Sequence, residues 1–277
     1  MWKRTAPPVL ITSLLFILLS GCLKIEPTYT KEKISESIIS LCQKEYGIEP
    51  RVWLLEETVW IYLPVGSLIT NTMQWEKDAS EKINKVMMGS SRVLLSMNPR
   101  PQFMVMVVSD IESLGLDYAI VTWIPDIVKF QLQFISRDEF SRRSLIKIAE
   151  NVNALQDKEG THIQKGNIRI KDFLAAQIAQ RIRMKFALDD NLKDYFKLGD
   201  INSMVEKDTF RVDAHIEQIK SFPQNTKAIN TEREIAKIIA YVIREYEIKD
   251  FLLAQINNTA SGRQLFFTRS ELKDYLR

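Results

Sequence analysis

The two histidines, the two cysteines and the aspartates Asp110, Asp117 and Asp126 are the side chains of this 277-residue chain whose types and places could do chemistry. His162 lies in a polar stretch and His215 on the wet side of an alternating segment. Neither has Cys or His neighbours at the spacing that a zinc site needs, so both are read as surface residues and no metal ligand is assigned. Asp110, Asp117 and Asp126 fall at or near expected strand ends and turns. Two carboxylates could share acid–base work on a glycan. Asp in a turn, bonding its own backbone, is the simpler reading. No G-x-S-x-G elbow, P-loop or G-x-G-x-x-G occurs, and nine glycines leave little material for phosphate-cradling loops. No catalytic residue is therefore assigned, no cofactor is expected, and the chain reads as a non-enzyme. Arg137, Arg142 and Arg143 surround a helix start and could meet an anionic polymer or lipid headgroup; a solvated helix face is preferred.

The thiol with the clearest chemistry is Cys22. Lys3 and Arg4 form a positive segment, and Val9 to Leu19 is an apolar run of eleven residues. That matches the core of a secretory signal, roughly 7–15 residues. It is short of the about 20 needed to cross a bilayer, and Pro7, Pro8, Lys24 and Glu26 prevent its extension. Leu19-Ser20-Gly21-Cys22 follows. The segment resembles the signal of bacterial lipoproteins, whose lipobox reads Leu-small-small-Cys. The resemblance covers residues 1–22 only. It implies removal of residues 1–21 by cleavage between Gly21 and Cys22, a diacylglycerol thioether on Cys22, and usually acylation of the new amino group. It places the protein in the cell envelope, exported from the cytoplasm and held to a membrane by lipid. Leu23 carries no acidic retention signal, which by resemblance favours the periplasmic face of an outer membrane where the cell has two membranes.

Losing residues 1–21 leaves 256 residues, enough for a core in one large or two small domains. Lys3 and Arg4 leave too, so the balance becomes 36 basic against 35 acidic residues. The whole-chain pI of 8.7 then gives no ground for nucleic-acid binding, which calls for a clustered basic excess. With Cys22 lipidated, Cys42 is alone; it lies on the stripe Ile34, Ile38, Leu41, Cys42 and reads as a small buried hydrophobe.

These residues must be positioned by an α+β fold: antiparallel sheet packed with helices, in two lobes. Residues 22–30 are a lipidated tether, short enough to hold the globule near the bilayer. Residues 31–156 form the first domain and 168–277 the second, and the polar stretch 156–167 links them. The periodicity predicts helices over 31–46, 72–97, 137–155, 169–187 and 231–247. Strands are expected at 51–55, 59–63, 103–108, 118–124, 127–135, 209–217, 251–256 and 264–268. A loop is expected over 221–230. Ser136–Glu139, Thr231–Glu234 and Thr268–Glu271 have the spacing of capping boxes. Asn257-Asn258-Thr259 reads as a hairpin loop. Lys44-Glu45-Tyr46-Gly47-Ile48 and Arg244-Glu245-Tyr246-Glu247-Ile248 each end a helix ahead of two strands, which suggests a helix–strand–strand pseudo-repeat.

The strand at 59–63 is apolar on both faces. Helices 72–97 and 137–155 are the expected covers. Without them Trp53, Trp60 and Tyr62 would form a patch for a partner or the membrane. The leading expectation is a non-enzymatic lipoprotein, anchored through Cys22, that binds or scaffolds an unidentified envelope protein. The alternative is a carrier of a small hydrophobic ligand or lipid, held between sheet and helices by Phe, Met and Trp side chains. A cell-wall hydrolase is a third reading.

Overall fold

The computed structural model describes residues 29–223 and 228–276. The expected signal 1–21 with Gly21, the expected lipidation residue Cys22, residues 23–28 of the expected tether and residues 224–227 of the expected loop lie outside the described residues. The fold is α+β in two sheet-based lobes.

The first lobe opens with α1 (Ile34–Tyr46). Ile34, Ile38 and Cys42 are buried at helical spacing, and Gly47 ends the helix in the left-handed conformation at φ 66°. Burial pushes the Cys42 thiol up to about 11, which keeps it protonated. The hairpin β1 (Arg51–Leu55) and β2 (Thr58–Val65) follows, then α2 (Lys77–Leu95), then β3 (Phe103–Asp110) and β4 (Leu116–Trp123). Every residue of β3 is buried, as a central strand should be. Val59, Ile61 and Leu63 join Ile34, Ile38, Met104 and Met106 in a core under α1 and α2. Tyr62, Val105 and Val107 point to the other face.

The second lobe has the same order. It runs α5 (Ile170–Leu188), the short α6 (Asp190–Lys193), β6 (Phe196–Glu206), β7 (Thr209–Gln218), α7 (Thr231–Glu245), β8 (Leu253–Asn258), β9 (Arg263–Thr268) and α8 (Arg269–Asp274). Phe210, Val212, Ala214 and Ile216 of β7 meet α5 and α7 in one core. His215 lies on the wet side, where it meets Thr259 and Glu217. The helix–strand–strand unit expected at the two ends thus occurs four times among the described residues, twice in each lobe.

Both sheets are mixed rather than antiparallel. β2 pairs with β3, and β7 with β8, in parallel. A helix separates the two strands in each case, and a crossover connection brings the second strand back in the same direction.

The segment 124–155 departs most from expectation. Residues 127–135 are not a strand: α3 (Ile124–Gln131) occupies most of the span. Pro125 sits in its first turn, and Ile124 and Ile127 bury at helical spacing. The alternation that suggested a strand leaves Leu132 and Phe134 exposed. The helix expected over 137–155 stops after two turns, as α4 (Arg137–Arg143). Ser136 caps it by accepting from the Glu139 N–H, but the Glu139 side chain turns to Arg142 and Arg143 instead of closing the box. β5 (Leu145–Glu150) then pairs antiparallel with β4 as an edge strand.

Smaller shifts occur elsewhere. α2 begins at Lys77, because Trp75 makes a bridge to Ile69. Asn230, not Thr231, caps α7, since its side chain reaches the Arg233 N–H. Thr268 and Glu271 do form a complete capping box. Asn257 and Asn258 are strand residues of β8, with the turn at Thr259. β6 was unassigned from sequence because it is polar and its register shifts between Leu198 and Ile201, around Gly199.

Candidate binding groove between the lobes

The Arg143–Ser144 peptide is one point of contact between the lobes. The Arg143 carbonyl accepts from Gln177 Nε2 at 2.6 Å and from the Tyr246 hydroxyl at 3.1 Å. Gln180 Nε2 donates to the Ser144 carbonyl at 2.9 Å, while its Oε1 accepts from the Ile146 N–H at 2.9 Å. The Gln180 amide therefore mimics the next strand of the first sheet and closes that stretch of its edge. Phe103 packs on Phe173, and Trp123 on Tyr246, centroids 5.1 and 5.4 Å apart.

The charges at this junction are buried. Arg143, 9% exposed, pairs with Asp126 at 3.1 Å and Glu139 at 2.7 Å. Asp126 is 1% exposed, and its Oδ2 has no hydrogen-bond partner among the described residues. Burial raises the Asp126 carboxyl above its ordinary range, and the Arg143 guanidinium pulls it back. Arg181 pairs with Glu245 at 2.5 Å across α5 and α7. Arg143 is thus a buried clamp and not part of a solvated face, whereas Arg142 remains exposed.

Around the clamp the lobes leave an open groove in two parts that meet at Lys129 and Phe134. One part, about 980 Å³, is lined by Met97, Pro99, Pro101, Trp123, Pro125, Val128 and Ile170. The other, about 970 Å³, is lined by Arg142, Arg143, Arg181, Met184, Lys185, Tyr241 and Arg244 among others. Phe134 stands between them, 75% exposed. An exposed aromatic in an apolar trough beside cations is chemistry for recognition, since such a patch marks an interaction site.

The stretch 156–167 is not a solvated linker. It is a strap packed on the face of the first sheet opposite α1 and α2. Tyr62 is fully buried beneath it and its hydroxyl donates to the Asp157 carbonyl. Burial pushes the Tyr62 phenol up to about 12. Trp60 Nε1 donates to the Gly166 carbonyl at 2.8 Å, and Lys165 lies 4.3 Å over the Trp53 ring. The cover for Trp53, Trp60 and Tyr62 is therefore this strap, where helices had been expected.

His162 anchors the strap. Its side chain is only 4% exposed, in contrast to the surface position read from sequence. Nδ1 lies 2.6 Å from Asp157 Oδ2 and Nε2 lies 3.2 Å from Asp117 Oδ1. Asp117 also accepts from Ser109 Oγ and from Asn151 Nδ2. Ser109 thus bonds the carboxylate and not the imidazole, so the nucleophile–base contact of a hydrolytic triad is not made. Asp110 accepts from the N–H groups of Ser113, Leu114 and Leu68, as a turn aspartate does. Asp110, Asp117 and Asp126 each serve a separate local structure. Among the described residues, no group of three or more His, Cys, Asp or Glu is placed to hold a metal ion, and no helix is long and apolar enough to cross a membrane.

Asp157 sets an acid limit on the strap. Burial alone would raise its carboxyl, but the His162 N–H and ring and the Glu159 N–H hold it far below the ordinary range. A carboxyl lowered in the folded state contributes stability above its unfolded value, about 3.9, and loses it as pH falls toward the folded one. Strap amides should therefore lose protection, measured against their intrinsic exchange rates, below about pH 4. Asp157→Asn should exchange fast at neutral pH and flatten that acid limb; an unchanged limb in the variant would assign it to another group.

No family model, curated protein or solved structure matches the chain.

Proposed function

We propose that the chain is a lipid-anchored protein of the bacterial cell envelope that binds another envelope protein and catalyses no reaction. The observation that carries this reading is Leu19-Ser20-Gly21-Cys22 directly behind an apolar run of eleven residues. Cys22 is the lipidated residue, and cleavage falls between Gly21 and Cys22. A diacylglycerol group supplies two chains, enough for stable attachment where one chain binds only reversibly. Seven residue steps, from Cys22 to Tyr29, lead to the first described contact, the bridge of Tyr29 to Met97. Fully extended they reach about 25 Å, so the globule sits close to the membrane surface. The groove at Phe134 supports the binding role, because an apolar trough at a lobe junction is where a partner can bury surface.

The test is Cys22→Ala in cells fed an alkyne-tagged palmitate. The wild-type protein should take up the tag and fractionate with membranes. The variant should lose the tag, keep residues 1–21 and accumulate as precursor. A variant that is still trimmed at Gly21 and still membrane-bound would refute lipid anchoring.

A further inference from the structure

Between α7 and α8 the second lobe holds a pocket of about 250 Å³, which adjoins the groove at the Arg143 clamp and shares Arg244 and Glu247 with it. Its wall is aliphatic: Ala240 and Ile243 of α7, Ile248 just beyond it, and Leu272 and Leu276 at the C-terminal end. Its rim is cationic: Arg244, Lys249, Arg269 and Lys273, against the single acid Glu247. Among the described residues none of these four cations is ion-paired. Two of the four are nonetheless held in place. Arg269 Nη1 donates to the Lys249 carbonyl at 2.9 Å and its guanidinium lies over Phe251. Arg244 lies over the Tyr241 ring, 4.9 Å from its centroid.

We infer that this pocket binds a single-chain anionic amphiphile, with the alkyl chain against Ile243, Ile248 and Leu272 and the carboxylate on the cationic rim. Aliphatic walls recognise a chain without directional bonds, and burial of its methylenes supplies the drive. Cations around the mouth with no ion-pair partner among the described residues select the charge of the head, since a neutral head gains less there. One narrow seat with one ring of cations fits one chain from solution, and not a sheet of headgroups. The inference does not rest on anchoring through Cys22.

The test is photoaffinity labelling with dodecanoate bearing a terminal diazirine, below its micelle concentration, on the full chain carrying Cys22→Ala. Label should map to residues 240–248 and 269–276. Excess dodecanoate should compete at least tenfold better than dodecanol, and inorganic phosphate should not compete. The double variant Lys249→Glu/Lys273→Glu should lose labelling at least tenfold with an unchanged circular dichroism spectrum. Ile243→Trp, which fills the seat, should lose it as well. Equal competition by dodecanol, labelling retained in the charge-reversed protein, or label concentrated at Phe134 would each overturn the assignment. So would labelling obtained only when the diazirine chain is presented in phosphatidylglycerol vesicles, which would make the site a membrane contact.

Discussion

Arg143→Ala is expected to lower the unfolding free energy by about 3–5 kcal/mol, more than the loss of any surface ion pair. The reason is the partner left behind. Asp126 is 1% exposed, and its Oδ2 already lacks a hydrogen-bond partner among the described residues. Without the guanidinium its carboxylate is a buried charge with no ion-pair contact among the described residues, and such a group is several times costlier than the pair it came from. Glu139 loses its bond at 2.7 Å, and the Glu245 carbonyl loses the long contact that Arg143 sends across the junction. Lys in place of Arg should recover only part of this, because an ammonium cannot reach both carboxylates with one fork. Replacing the pair together, Asp126→Leu with Arg143→Met, should cost less than Arg143→Ala alone, since it removes both buried charges. Chemical denaturation followed by tryptophan fluorescence reads all three. A single variant within about 1 kcal/mol of wild type would show that the pair is not buried as described.

Tyr62→Ala should cost about 3–5 kcal/mol, the range for emptying a buried aromatic site. The ring is fully buried, and Gly160 of the strap lies directly on it. Tyr62→Phe keeps that volume and removes only the bond to the Asp157 carbonyl. It should cost about 1–2 kcal/mol, the value of one buried hydrogen bond. Gly160→Ala tests the same contact from the other side. Gly160 sits at φ 68°, and a Cβ there would come 2.8 Å from the Tyr62 ring. Alanine pays for the left-handed backbone, and a fully buried ring has nowhere to retreat. In Tyr62→Ala and Gly160→Ala the strap should lose hydrogen-exchange protection before the sheets do, and the indole N–H of Trp60 should become exchangeable. Equal loss across the molecule would mean that strap and sheet unfold as one unit.

What the sequence showed depended on how local the cause was. α1 was legible because Ile34, Ile38 and Cys42 share one face and Gly47 supplies the left-handed stop within the same fourteen residues. The alternation in β7 was legible because one face of the second sheet is wet. β5 was hidden, since Leu145 to Glu150 is a six-residue strand with no clean alternation, directly behind a short helix. α3 was misread because Val128, Phe130, Leu132 and Phe134 alternate by coincidence, while Pro125 and the Ile124–Ile127 spacing carried the true signal. The clamp and the strap depend on long-range contacts. Nothing near Arg143 in sequence says that Asp126, 17 residues back, is buried with it. The polar run around His162 has the composition of a linker, and its burial comes from Asp117, 45 residues away. A local sign did exist: Asp157 three residues before Gly160 forms a turn that aims the His162 backbone at the carboxylate. Trp53, Trp60 and Tyr62 were visible as two apolar faces on one strand pair, and only the tertiary fold shows that the strap is what covers them.

We propose that the anchored protein engages an envelope protein through the groove at Phe134. The most direct measurement of this is in-cell photocrosslinking with a benzophenone amino acid at position 134, compared with the same residue at exposed Asp194 on the far lobe. A discrete higher-mass adduct from position 134, absent at 194 and lost when Cys22→Ala keeps the protein from its membrane, is the predicted result. No adduct at 134, or the same adduct from both positions, would contradict it.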